Sequence, residues 1–174
     1  MSKLTLYEYP HPILKQKAQK VDVFDKQIQA LLDDMLEMMY KCNGCGLAAP
    51  QVGISKRIVV IDIAKEDEEP DPLYMVNPEI VWRSEEKEVC EEGCLSVPGM
   101  RAEVERPAEV KVKYIDYNGE EKELSAQDFL AVAVQHELDH LDGILYIDHI
   151  SRLKRQMLLK KLEKQRKEQA EAAK

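Results

Sequence analysis

Apolar residues recur along this chain in two different periods. Between Asp25 and Lys41 they fall at Ile28, Leu31, Leu32, Met35, Met38 and Met39, one core-facing stripe of an amphipathic helix that Asp25 opens. Shorter runs of strand-like composition follow at Arg57 to Ile63, Tyr74 to Trp82, around Val89 to Ser96, and Glu109 to Tyr117. Asn118-Gly119 predicts a hairpin turn into a further strand, Glu121 to Ser125. Phe129, Val132, Ala133, His136 and His140 then return to helical spacing as a mostly buried stripe. Ser125 is the expected N-cap of that helix, Asp128 the acidic partner of a capping box, and Gly143 the stop. The acidic, proline-containing stretch Lys65 to Pro72 is a surface loop, because strands resume on both sides of it, and no internal repeat is found. The pattern predicts an α+β fold.

Composition narrows the class. A chain of 174 residues that is 44% apolar can bury the core of one domain. No early stretch combines a basic start, an apolar run and a small-residue cleavage site, so no secretory leader is expected. The longest apolar runs are strand-length, far short of the roughly 20 residues that a membrane helix needs. Four cysteines that serve as ligands or stay free suit a reducing compartment, which predicts a cytoplasmic protein without disulfides.

The candidate chemistry centres on His136-Glu137-Leu138-Asp139-His140. Residues four apart share a helix face, so both imidazoles can reach one metal ion with Glu137 held beside it, an HExxH arrangement. A third ligand is needed. The metzincin continuation matches as far as Gly143 but has Tyr146 where its third histidine belongs, and His149 comes three residues too late. The better donor lies upstream, in Cys90-Glu91-Glu92-Gly93-Cys94-Leu95-Ser96, since a thiolate with two imidazoles leaves a fourth position open for water or substrate. A competing arrangement pairs Cys42 and Cys45 with Cys90 and Cys94 as a four-cysteine structural zinc site in a non-catalytic module.

These residues resemble a family. Glu92-Gly93-Cys94-Leu95-Ser96, His136 to His140, and Gly44-Cys45-Gly46-Leu47-Ala48-Ala49-Pro50-Gln51 are similar, in order and separation, to the three motifs of the peptide deformylases. The likeness runs from Tyr9-Pro10-His11-Pro12-Ile13-Leu14 to the end of the histidine helix. It implies mostly antiparallel strands packed around a central metal-binding helix, with a C-terminal helix. It also implies a metal-dependent hydrolase that removes the formyl group from the N-terminal formylmethionine of nascent peptides, releasing formate. Cys94, His136 and His140 would hold ferrous iron, for which zinc, nickel or cobalt can substitute. Glu137 would carry the proton, and the Gln51 amide and the Leu95 backbone N–H would donate to the formyl oxygen.

Gly44 and Gly46 permit a positive φ or close backbone approach, and the resemblance implies strand-like pairing of the peptide at Gly46. Phe129, Val132 and Ala133 are candidates for the methionine pocket. Cys45 stands where a branched aliphatic is frequent, and is a candidate for oxidation beside the substrate path. Despite a net charge of -8, Arg152, Lys154, Arg155, Lys160, Lys161, Lys164, Arg166 and Lys167 crowd one helical segment. Such a segment can bind phosphates, and the resemblance implies ribosome contact there. Residues 1–150 are thus expected to form a single catalytic domain, with residues 151–174 its basic helical extension. A zincin-like metallopeptidase is the alternative activity.

Overall fold

The computed structural model describes residues 3–174. Asp25 opens α1 (Lys26–Lys41) by accepting from the N–H groups of Gln27 and Ile28, at 3.0 and 3.1 Å. The helix stops where Asn43 turns left-handed, φ 55°, and the Gly44 N–H closes back on Met39 O. The chain continues through β1 (Gly46–Ala48), a 3-10 turn over Ala49–Val52, β2 (Ile58–Ile61) and β3 (Leu73–Arg83). Next come β4 (Lys87–Cys94), β5 (Val97–Pro107), β6 (Glu109–Ile115) and β7 (Glu121–Gln127). Last are α2 (Asp128–Leu141), a 3-10 turn over Tyr146–Asp148, and α3 (Arg152–Ala172).

Five strands form one sheet in the order β1-β2-β3-β6-β7, and β4 and β5 form a separate hairpin. Every ladder between strands is antiparallel. Alternation along the fully buried β2 sets the layers. Ile58 and Val60 pack with Ile28, Leu32, Met35 and Met39 of α1, while Val59 and Ile61 pack with Val134, Leu138 and Leu141 of α2. A third cluster seats α3 on the hairpin, through Leu158 and Leu162 against Val97, Val104, Leu14 and Tyr146. The mixed architecture with antiparallel sheets and a C-terminal helix agrees with the expectation.

One local signal lost to tertiary pairing. Ser125 does not cap α2; it pairs with Lys111 inside β7, and the helix starts only after Gln127. Cross-strand bonding there holds the backbone extended past the capping sequence. The hairpin at Asn118-Gly119 forms as expected between β6 and β7, with the Asp116 N–H bonded to Glu120 O. The Asp116 carboxylate accepts from the N–H groups of Asn118 and Glu120, and Gly119 takes φ +79°. The segment at Gly46 is the edge strand β1, and neither it nor β5 is among the strands that the pattern predicts.

Candidate active site

His136, Glu137 and His140 are buried on α2, and Cys94 is brought to them by the end of β4. One donor atom each from Cys94, His136 and His140 lie within 4.8 Å of one another. The Cys94 Sγ to His140 Nε2 distance is 3.4 Å. A sulfur and two imidazole nitrogens converging in a buried pocket fit a first-row divalent metal, and they leave one tetrahedral position free. Among the described residues no other group of cysteine, histidine and carboxylate side chains converges in this way.

A charged network orients the cluster. His136 Nδ1 is bonded to Glu92 Oε1 at 2.9 Å, which leaves its Nε2 for the metal position. Arg106 grips Glu92 with two bonds, of 2.7 and 2.9 Å, and reaches Asp139 at 2.8 Å. His149 closes the chain on the same Asp139 oxygen at 2.8 Å. Burial by itself would raise the Glu92 carboxyl, but the bonds from His136 and Arg106 hold it below the usual range. Asp139 is likewise held low against burial, by His149 and Arg106. The motifs contain Glu92 and Asp139 without marking them as partners, and nothing in the sequence singled out Arg106.

The rival ligand sets do not assemble. Cys42 Sγ lies 4.0 Å from Met38 Sδ and Cys90 Sγ lies 3.6 Å from Glu91 O, so the four-cysteine zinc site is absent among the described residues. Tyr146, at the metzincin position, donates its hydroxyl to Met100 O and stacks on the His136 ring.

Glu137 is enclosed, with Oε2 lacking any hydrogen-bond partner. Burial pushes its carboxyl up to about 7, which suits a group that must both take and give a proton near neutral pH. A Cβ on Gly46 would fall onto this carboxylate, and one on Gly44 would meet Leu95 Cδ1 at 2.8 Å. Neither glycine has a positive φ. Gly46 is fixed by its close approach to Glu137, and Gly44 lies against the Leu95 side chain, so of the two reasons read from the sequence only close approach applies.

Gln51 is buried and fixed in orientation. Its Oε1 accepts from the Ala48 N–H at 2.9 Å, so Nε2 points to Ser96 Oγ at 3.1 Å and Cys94 Sγ at 3.6 Å. Cys45, Gly46, Leu95, Phe129, Val132 and Ala133 line the same cleft of about 440 Å³, together with Cys94, His136, Glu137 and Gln51. Of the predicted stripe, Ala133, His136 and His140 are buried and Val132 is half-buried, whereas Phe129 is 47% exposed at the cleft. Ala131, Val134, Leu138 and Leu141, outside that stripe, enter the core. The Cys45 thiol, exposed at the mouth of the cleft, is pushed up by the surrounding protein's desolvation first and Glu137 second, which opposes thiolate formation there. β1 is an edge of its sheet, so the flank of Gly46 away from β2 carries no strand.

Comparison with known proteins gives one family throughout. Residues 3–156 match the family described as Polypeptide deformylase. The peptide deformylase of Phenylobacterium zucineum is 54% identical over 158 residues, covering 91% of this chain and 94% of that protein. The Rhizobium meliloti peptide deformylase is 50% identical over 155 residues, covering 89% of each. The crystal structure of the Ehrlichia chaffeensis peptide deformylase in complex with actinonin superposes with a TM-score of 0.89 at 41% identity, covering 95% of this chain and 98% of that one.

Proposed function

The chain belongs to the peptide deformylase family, and from that premise we propose how its own residues carry the reaction. It is a metal-dependent hydrolase that removes the N-formyl group from the formylmethionine of nascent polypeptides. The observation that carries the reading is the convergence of Cys94, His136 and His140 beside a cleft lined by Cys94, His136 and the enclosed Glu137, whose Oε2 has no hydrogen-bond partner.

Cys94, His136 and His140 would hold the divalent metal, with Glu92 fixing the His136 ring. That metal supplies Lewis acidity toward water and the formyl oxygen. Glu137 takes the proton of the attacking water and delivers it to the amide nitrogen, so that the C–N bond breaks and formate leaves. The Gln51 Nε2 and the Leu95 N–H donate to the formyl oxygen as charge develops there. The peptide lies along the β1 edge at Gly46, beside Cys45, with the methionine side chain against Phe129, Val132 and Ala133. Ferrous iron is the proposed ion on the family resemblance, with zinc, nickel or cobalt able to replace it, since the donor set suits all four.

Ribosome contact through α3 and a cytoplasmic location are part of the same proposal. α3 presents Lys160 and Lys161 to solvent, together with exposed Leu153 and Met157. No helix of the described residues is long and apolar enough to cross a membrane.

The test is formate release from formyl-Met-Ala-Ser by protein purified anaerobically with ferrous iron, beside Glu137→Ala. Release by the wild type alone, blocked by actinonin and absent with acetyl-Met-Ala-Ser, is expected. Cleavage of internal amides without formate would sink the reading in favour of a peptidase.

A further inference from the structure

We propose that Gln165, on the C-terminal helix, is a positioning residue for the peptide cleft. The inference rests on the deformylase reading of that cleft, but lies outside the stretch that carries the family match, residues 3–156.

The β4–β5 ladder is broken beside Cys94. Gly93 pairs with Arg101 and Cys94 with Val97, so Pro98, Gly99 and Met100 loop out without partners on β4. All three line the cleft. A bulge that gives up ladder bonds needs other groups to fix its backbone. Two side chains do so. Tyr146 donates its hydroxyl to Met100 O at 3.1 Å, and Gln165 Nε2 donates to Pro98 O at 3.1 Å. Gly99, at φ +77°, lies so close to the Gln165 amide that a Cβ there would meet Gln165 Oε1.

Gln165 is itself held in place. Leu158 and Leu162 are buried on the preceding turns in the cluster that contains Val97 and Tyr146, and Arg166 reaches Glu8 at 3.4 Å. α3 therefore supplies one of the two hydrogen bonds that set the cleft wall formed by the bulge. The metal ligands and Glu137 stand on β4 and α2, outside the bulge that this bond holds. A loosened wall would weaken peptide binding equally in the ground and transition states, which raises KM and leaves kcat alone.

Gln165→Met keeps the length and removes the donor. Its steady-state kinetics with formyl-Met-Ala-Ser, metal content and thermal midpoint should be measured beside the wild type, whose formate release independently tests the deformylase reading. The expected result is a KM raised about three- to tenfold, the range that one ordinary hydrogen bond spans, with kcat, metal content and midpoint unchanged. An unchanged KM would overturn the proposal. So would a fall in kcat that tracks a lower midpoint, because that would make Gln165 a packing residue only.

Discussion

α2 and α3 are both amphipathic helices, yet they hold their charges in opposite ways. α2 is enclosed for most of its length, and its His136 and Asp139 are answered by residues from elsewhere: Glu92 and Arg106 on the hairpin, and His149 beyond the helix. α3 is anchored by Leu158 and Leu162, and most of its cations stand in water. A buried charge that loses its partner is costly, so the network on α2 tolerates few substitutions, whereas solvated charges on α3 act only as a field.

Substitutions can break this contrast. The largest effect is expected at Glu137→Ala, where formate release should drop by about 10²- to 10⁴-fold, the usual contribution of a proton-transfer group, while metal content stays at the wild-type level. Arg106→Met leaves the buried Glu92 carboxylate, and the half-buried Asp139 beside it, without the guanidinium that joins them. Urea unfolding should show a loss of about 3–5 kcal/mol. Leu162→Ala opens a cavity under α3 and should lower stability by about 2–5 kcal/mol, which would show that the helix is part of the fold. Reversal of Lys160 and Lys161 to Glu should change stability by no more than about 0.5 kcal/mol, yet abolish ribosome co-sedimentation at low salt. Retained co-sedimentation would remove the proposed ribosomal role. Deletion of Ser151 to Lys174 is a poorer test, since it also uncovers Val97 and Tyr146.

Legibility in the sequence followed the same contrast. Positions four apart on one helix are a local pattern, so the His136, Glu137 and His140 arrangement could be read directly. The α1 stripe was equally plain, and Ile28, Leu32, Met35 and Met39 are buried. Cys94 needed the family resemblance, because its approach depends on how β4 crosses α2. Arg106 was invisible: it occupies the inward alternation of β5 after Met100, Ala102 and Val104, where a charged residue reads as evidence against a strand. β5 was hidden by the same alternation and by Pro98 and Gly99, which mark loops in most contexts. Ser125 misled for the converse reason, since a good local cap was overridden by a strand neighbour.

The shortness of β1 bears on how indiscriminate the protein can be. An unpaired strand edge invites any extended chain, and a long one seeds aggregation. β1 offers only Gly46–Ala48 before the chain turns away at Ala49. That length has room for one short peptide and is too short to template a growing sheet. Pairing at such an edge consults the main chain, which is the same in every polypeptide, so the discrimination that remains falls to the wall around the first side chain.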